Sequence, residues 1–360
     1  MLSVINKAKE TLSSQPTPST HHIAAVLPSK GSPYTIQTLP TPTPGPSELL
    51  IEVRALALNP IDIYTRDLNF AISSFPAIGG FDIAGIVIST GSSVLSTAPQ
   101  PGNRVAAFSH AFAAQGKPEY GAFQQRVLVP AVNAVTLPDS WSFNEGTLLP
   151  MAVTTTFAGW YAIDMPLNTS YTPADKQGIL VWGASSSVGS FAVQIAKLMG
   201  FTVYATASAK HHAYIKTLGA SKVFDYYDDN VVDDIVRAIK VDGVNVSVGY
   251  GAVIGSLAPS LEILKAMNPE EGARLAHAPR LDPDGPKAEE VEVKFVAGPT
   301  DAEERDAFMR EVWWTWLQPR LHSGEVVPSP SIKVVQGGLE GLNKAIDVLK
   351  EGISATKIVI

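Results

Sequence analysis

The chain has 360 residues, 45% hydrophobic and 17% charged, an ordinary globular balance with room for two separate cores. A formal net charge of −7 argues against nucleic-acid binding, and no apolar run reaches membrane-spanning length. Cysteine is absent, which excludes disulfides, thiolate catalysis and every cysteine-ligated metal site.

Residues 1–20 read as a loose arm, polar and rich in Ser, Thr and Pro. They lack the apolar centre of a secretory signal, so a cytoplasmic location is expected. Strands are expected over 22–27, 34–38 and 48–57, with the proline run 40–46 as an exposed turn between the last two. Further strands at 83–90, 104–108 and 123–129, punctuated by Gly and Pro, indicate a β-rich, barrel-like first domain. The texture changes near Asn144. A helix over 144–162 leads into strands at 178–182, 202–206, 222–224 and 245–248, which alternate with helices at 188–199, 211–217 and 231–239. Such alternation indicates βαβ units and a parallel sheet. A Trp-rich amphipathic helix at 302–321, a helix at 339–350 and a strand at 357–360 follow; Trp313 and Trp316 share a face suited to core packing.

The sharpest local signal is Gly183-x-x-Ser186-x-x-Gly189, set between a buried strand and a helix. Gly183 turns the chain off the strand and Gly189 allows close packing of the helix. The tract Ser185, Ser186, Ser187 and Val188 then brings backbone N–H groups and a helix N-terminus to a dinucleotide pyrophosphate, with the Ser186 hydroxyl as an added donor. An NAD site places an acid at the end of the second strand, whereas no Asp or Glu occurs from Gly183 to Phe224. Ser208 and Lys210 instead suit a 2′-phosphate, with His211 following and Tyr226 completing the expected pocket, so the cofactor is expected to be NADPH/NADP+. Gly249 is expected at a strand end that passes close to the cofactor.

Several ordered motifs now resemble one family: Leu58–Arg66, Gly79–Gly85, Pro101–Val105, Thr154–Ala158, the Gly183–Gly189 turn, Leu218–Ala220 and Gly337–Gly341. From about Ala25 to Ile360 the chain is similar to the medium-chain dehydrogenase/reductases, in the zinc-independent quinone oxidoreductase and enoyl reductase branch. The Gly337–Gly341 tract and the serine-rich turn most resemble fungal members, including trans-acting enoyl reductases of secondary metabolism. The resemblance implies an α/β fold: a doubly wound Rossmann sheet (151–321) inserted in a GroES-like β-barrel domain (21–150 plus 322–360). It implies a monomer or homodimer acting on a small-molecule substrate, free or bound to a carrier protein. Neither nucleic acid nor membrane is an expected partner.

Zinc members hold the metal with a Cys and a His-Glu pair. Here Asn59 stands at the Cys position and Phe81-Asp82 where the pair would be, and no two of the seven histidines have useful ligand spacing. No zinc is therefore expected, and Phe81 and Asp82 read as packing and turn residues. Without a metal Lewis acid, reduction of a conjugated C=C or a quinone is the simpler chemistry: donors hold the carbonyl as charge builds, and a proton reaches the α-carbon. Asn59, Asp62 and Tyr64 match positions that line the substrate side of the nicotinamide in these relatives. Asn59 offers an amide donor, Asp62 an ordering contact for the loop and Tyr64 a phenolic donor. Thr155 matches the threonine beside the nicotinamide.

Overall fold

A computed structural model describes residues 20–268, 270 and 272–360; apart from Thr20, the expected N-terminal arm lies outside the described residues. The chain opens with a hairpin of β1 (His21–Val26) and β2 (Thr35–Pro40). There follow β3 (Glu48–Ala57), α1 (Pro60–Leu68), β4 (Asp82–Thr90), β5 (Arg104–Phe108), β6 (Arg126–Pro130) and β7 (Ala134–Thr136). Two helices, α2 (Phe143–Gly146) and α3 (Pro150–Ala162), replace the single helix expected over 144–162. Pro150 occupies the first turn of α3, where its missing N–H costs nothing, and it starts a new helix.

The alternating half comprises β8 (Gln177–Trp182), α4 (Ser187–Leu198), β9 (Thr202–Thr206), α5 (His212–Leu218), β10 (Lys222–Phe224), α6 (Val231–Asp242) and β11 (Asn245–Gly251). It continues through α7 (Leu257–Met267), β12 (Ala273–His277) and β13 (Val291–Phe295), none of which was expected. Helix α7 has little amphipathic contrast and so carried no clear periodic signal, whereas β13 does alternate apolar and charged residues, a strand-like period that spans only five residues at the sheet edge. A long helix then runs as α8 (Ala302–Arg310), a wider π-type segment over Glu311–Leu317, and α9 (Gln318–Ser323), stopped by Gly324 in the left-handed region. The chain closes with β14 (Ser331–Val334), α10 (Leu342–Lys350) and β15 (Thr356–Val359).

The six-stranded sheet is wholly parallel, in the order β10-β9-β8-β11-β12-β13. This is the doubly wound arrangement, whose strand order reverses between β8 and β11. Ligands bind beyond the carboxyl ends of the strands at that reversal. The seven-stranded sheet has the path β14-β15-β3-β4-β5-β7, with β6 added on β3. The last segment of the chain thus returns to the first sheet: β15 pairs with β14 on one side and β3 on the other.

Helix α3 joins the two halves. Its Val153 and Phe157 belong to one apolar core with Ala84 and Ala106 of the first sheet, Val181 of the second and Phe191 of α4, which packs on the second. The Trp-rich helix reinforces that seam. Trp313 and Trp316 are buried as expected; the indole of Trp313 donates to Thr154 on α3, and that of Trp314 to the Ala134 carbonyl of β7.

Candidate active site

The turn after β8 lies at the strand-order reversal. Gly183 has φ +84°, a region open to glycine, and Val253 packs on its open face. A Cβ at Gly189 would lie 2.2 Å from the Gly183 carbonyl oxygen, so the helix start touches the turn directly. Ser186 departs from its expected role. Its N–H donates to the Gly183 carbonyl, and its hydroxyl donates to that same carbonyl while accepting from the Gly189 N–H. It is the N-cap of α4 and has no donor left for a phosphate. The accessible donors are the first-turn N–H groups of Ser187 and Val188, which helix geometry leaves without an internal partner. Ser185 to Val188 are all half-buried, open enough to meet a ligand.

Beyond β9 the second part of the pocket assembles. Ser208 is half-buried beside Tyr226, whose ring lies 4.4 Å from that of Tyr227. Lys210 is exposed at the short turn that follows. His211 points away from these groups: its Nε2 pairs with the Ser354 hydroxyl at 2.9 Å, across to the segment before β15. Burial, then the Lys210 charge, lowers its pKa, which favours the neutral ring. The sequence stretch is free of acids, but the space is not. Asp225, at the end of β10, accepts from the N–H groups of Ala209 and Tyr227. Its charge is therefore spent on two backbone donors at the rim of the pocket.

Gly249 is displaced from its expected place. It sits inside β11, paired with Leu180 and Leu275, and a Cβ there would meet the tips of Leu275 and Leu264. The strand runs on to Gly251, so the backbone nearest the cofactor turn is Ala252–Val253, where the Ala252 N–H donates to the Trp182 carbonyl. The expectation failed because Gly-Tyr-Gly reads as a turn, whereas Tyr250 is a fully buried strand residue. Its hydroxyl donates to the Thr155 carbonyl, and its ring lies where any side chain at Gly159 would go. Thr155 itself is half-buried, and the neighbouring Thr156 hydroxyl reaches toward the Val188 carbonyl, so α3 runs against the phosphate turn.

Asn59, Asp62 and Tyr64 belong to a helix rather than a loop. Pro60 starts α1, and Asp62 reaches back to accept from the Asn59 N–H at 2.7 Å. The ordering role expected of Asp62 thus has a concrete form. Its other oxygen is buried without a hydrogen-bond partner. Burial first, and the Asp82 charge as well, push its pKa up to about 8, against the backbone hydrogen bond and Lys357. A carboxyl whose pKa rises on folding stabilises the fold below the ordinary carboxylate range, and that stability is lost as pH rises toward about 8. Urea unfolding is therefore expected to show a weaker fold at pH 8 than at pH 5, by on the order of a few kcal/mol. Asp62→Asn should remove most of that drop; an equal pH dependence in the variant would exclude Asp62 as its source.

Tyr64 stands exposed on α1, turned away from Arg66, which ties the helix to Asp347 of α10. Asn59 is buried. Its Nδ2 donates to Asp82 at 2.8 Å, and its Oδ1 accepts from the Lys357 ammonium. Lys357 and Asp82 form an ion pair of 2.8 Å, exposed by 2% and 0% respectively. The second oxygen of Asp82 accepts from the Met151 N–H in the first turn of α3. Asn59 is thus a member of a buried network rather than a free donor, and Asp82 is a charged centre of it rather than a packing residue. The available signal was a lysine in an otherwise apolar strand, Lys357-Ile-Val-Ile360. Among the described residues no group of three or more His, Cys, Asp or Glu side chains is placed to hold a metal.

Residues 45–139 match the alcohol dehydrogenase GroES-like domain, and residues 187–267 the zinc-binding dehydrogenase family. A trans-enoyl reductase of Aspergillus flavipes is 47% identical over 340 residues, covering 94% of this chain and 98% of that protein. The chain belongs to the medium-chain dehydrogenase/reductase superfamily, in its fungal enoyl reductase branch. A trans-enoyl reductase of Aspergillus terreus is 49% identical over 276 residues, 76% of this chain and 91% of its own length. The superfamily fold is also that of a solved alcohol dehydrogenase superfamily protein from Novosphingobium aromaticivorans, with a TM-score of 0.75 at 22% identity over 94% of this chain and 99% of that one. As a member of this superfamily the chain is an oxidoreductase that uses a nicotinamide cofactor. No helix among the described residues is long and apolar enough to cross a membrane.

Proposed function

We propose that this chain is a cytoplasmic, NADPH-dependent, zinc-independent reductase of an activated carbon–carbon double bond. Its substrate class is an enone or an enoyl thioester, the latter presented by a carrier protein. The reading rests on near full-length similarity to a trans-enoyl reductase, in a chain that keeps an anion-binding helix start at the reversal of its parallel sheet.

Ser187 and Val188 would hold the pyrophosphate through backbone N–H groups, and Ser208, Lys210 and Tyr226 the 2′-phosphate. Tyr226 enters through its contact with Ser208. Bound NADPH supplies the hydride for the β-carbon. The chain must hold the carbonyl oxygen as negative charge moves onto it and deliver a proton to the α-carbon; the sum is a saturated product and NADP+. Tyr64 is assigned the proton-donor role because its phenol is exposed while Asn59 and Asp62 are buried on the same helix. Zinc does not fit the residues present. Asn59 and Phe81 replace the expected ligands, and the remaining carboxylate, Asp82, is already paired with a buried ammonium.

The test is NADPH oxidation followed across enoyl thioesters, enones and quinones. Absence of turnover on all of them, despite tight NADPH binding, would overturn the reading. Within it, Tyr64→Phe is expected to lower turnover about 10- to 100-fold while NADPH affinity stays the same. Unchanged turnover would remove Tyr64 from the mechanism.

A further inference from the structure

We propose that Lys357 is the fixed cation of the reaction site, standing on the residues that occupy the metal-ligand positions of zinc-holding relatives, and that it positions α1 and α3 against each other. The kinetic part rests on the reductase reading; the structural part does not.

The geometry is a closed set of contacts. One ammonium nitrogen donates to both Asn59 Oδ1 and Asp82 Oδ2, and Asn59 Nδ2 donates to that same Asp82 oxygen. Three strands or helices contribute: Asp82 begins β4, Asn59 caps α1 and Lys357 lies in β15. The free side of Asp82 holds the Met151 N–H, which fixes the start of α3 one turn before Thr154 and Thr155. A metal dication on Asp82 would have to share its carboxylate with an ammonium 2.8 Å away and take ligands from an amide and a phenyl ring. The ammonium gives the carboxylate its counter-charge without an open coordination position. It also fixes which way the Asn59 amide faces, because only Oδ1 can accept from a lysine. Lys357 therefore acts through Asn59 and Asp82 as a positioning residue, on the helix that carries Tyr64 and on the helix that carries Thr155.

The experiment combines metal analysis, stability and kinetics on the full chain. Protein purified without chelator should carry less than about 0.1 zinc per chain, and chelation should leave turnover unchanged. Lys357→Met, which leaves a buried unpaired carboxylate, should lower the melting temperature. The double variant Lys357→Met/Asp82→Asn should regain part of that loss, because the amide neutralises the site and still accepts from Met151. In the folded double variant turnover should fall about tenfold or more while NADPH affinity changes less than about threefold, and Lys357→Arg should recover much of the rate. Wild-type turnover in the double variant overturns the positioning role. One zinc per chain, or a double variant no more stable than Lys357→Met, overturns the fixed-cation assignment. A wild-type chain that reduces no substrate overturns the reductase reading alone, since zinc content and melting temperature still read the ion pair.

Discussion

Gly189→Val is expected to weaken NADPH binding more than about 100-fold, on the order of 3 kcal/mol. The argument is steric and local. Even the first carbon of a side chain would lie 2.2 Å from the Gly183 carbonyl oxygen and 2.9 Å from the Ala184 Cα, both backbone atoms. Relief requires the helix start to move off the turn. That movement breaks the Gly189 N–H contact to the Ser186 hydroxyl and re-aims the N–H groups of Ser187 and Val188. Because an anion site built from backbone donors depends on their direction, a displaced first turn loses most of its affinity. Quenching of tryptophan fluorescence by NADPH measures the loss, and a thermal melt separates a displaced turn from an unfolded chain. A folded variant that binds NADPH within about threefold of wild type would show that the phosphate does not use this turn.

Lys210→Glu is expected to lower NADPH affinity about 10- to 100-fold and leave NADH affinity within about threefold. Lys210 is exposed beside Ser208, and Asp225 already lies at the rim of the same pocket. Reversing the charge removes the cation that faces a 2′-phosphate and adds a second acid near it. NADH lacks that phosphate and has nothing to lose at this point. Equal losses for both cofactors would place the effect on the fold, and no loss for either would remove Lys210 from the pocket.

Much of this arrangement was legible in the residues because it follows from local rules. The strand–turn–helix at 178–199 announces itself through a buried apolar strand, two glycines and a serine cap, all within one short window. The same holds for α6, where Val231, Ile235 and Ile239 mark one buried face. What escaped was non-local or ambiguous. Gly249-Tyr-Gly251 has the composition of a turn but is held extended by neighbours on both sides. The role of Ser186 is set by its own turn, where the Gly189 N–H donates to its hydroxyl and the hydroxyl donates to the Gly183 carbonyl. Asp82 and Lys357 lie 275 positions apart in the chain (357 − 82). No window contains both, so a buried ion pair between them is visible only once β15 has joined β3.

That joining has a consequence for synthesis on the ribosome. Strands β3 and β4 and the Asp82 carboxylate emerge early, whereas β15 emerges only after all six strands of the parallel sheet. During that interval the nascent first sheet lacks the partner at the carboxyl end of β3, around Leu56–Leu58, and carries an acid destined for burial with no counter-charge. The parallel sheet can fold as a unit meanwhile, so the first sheet must wait, partly open, for a segment that arrives last. Co-translational chaperones would find their target there, at the uncovered carboxyl end of β3, rather than on the dinucleotide-binding half.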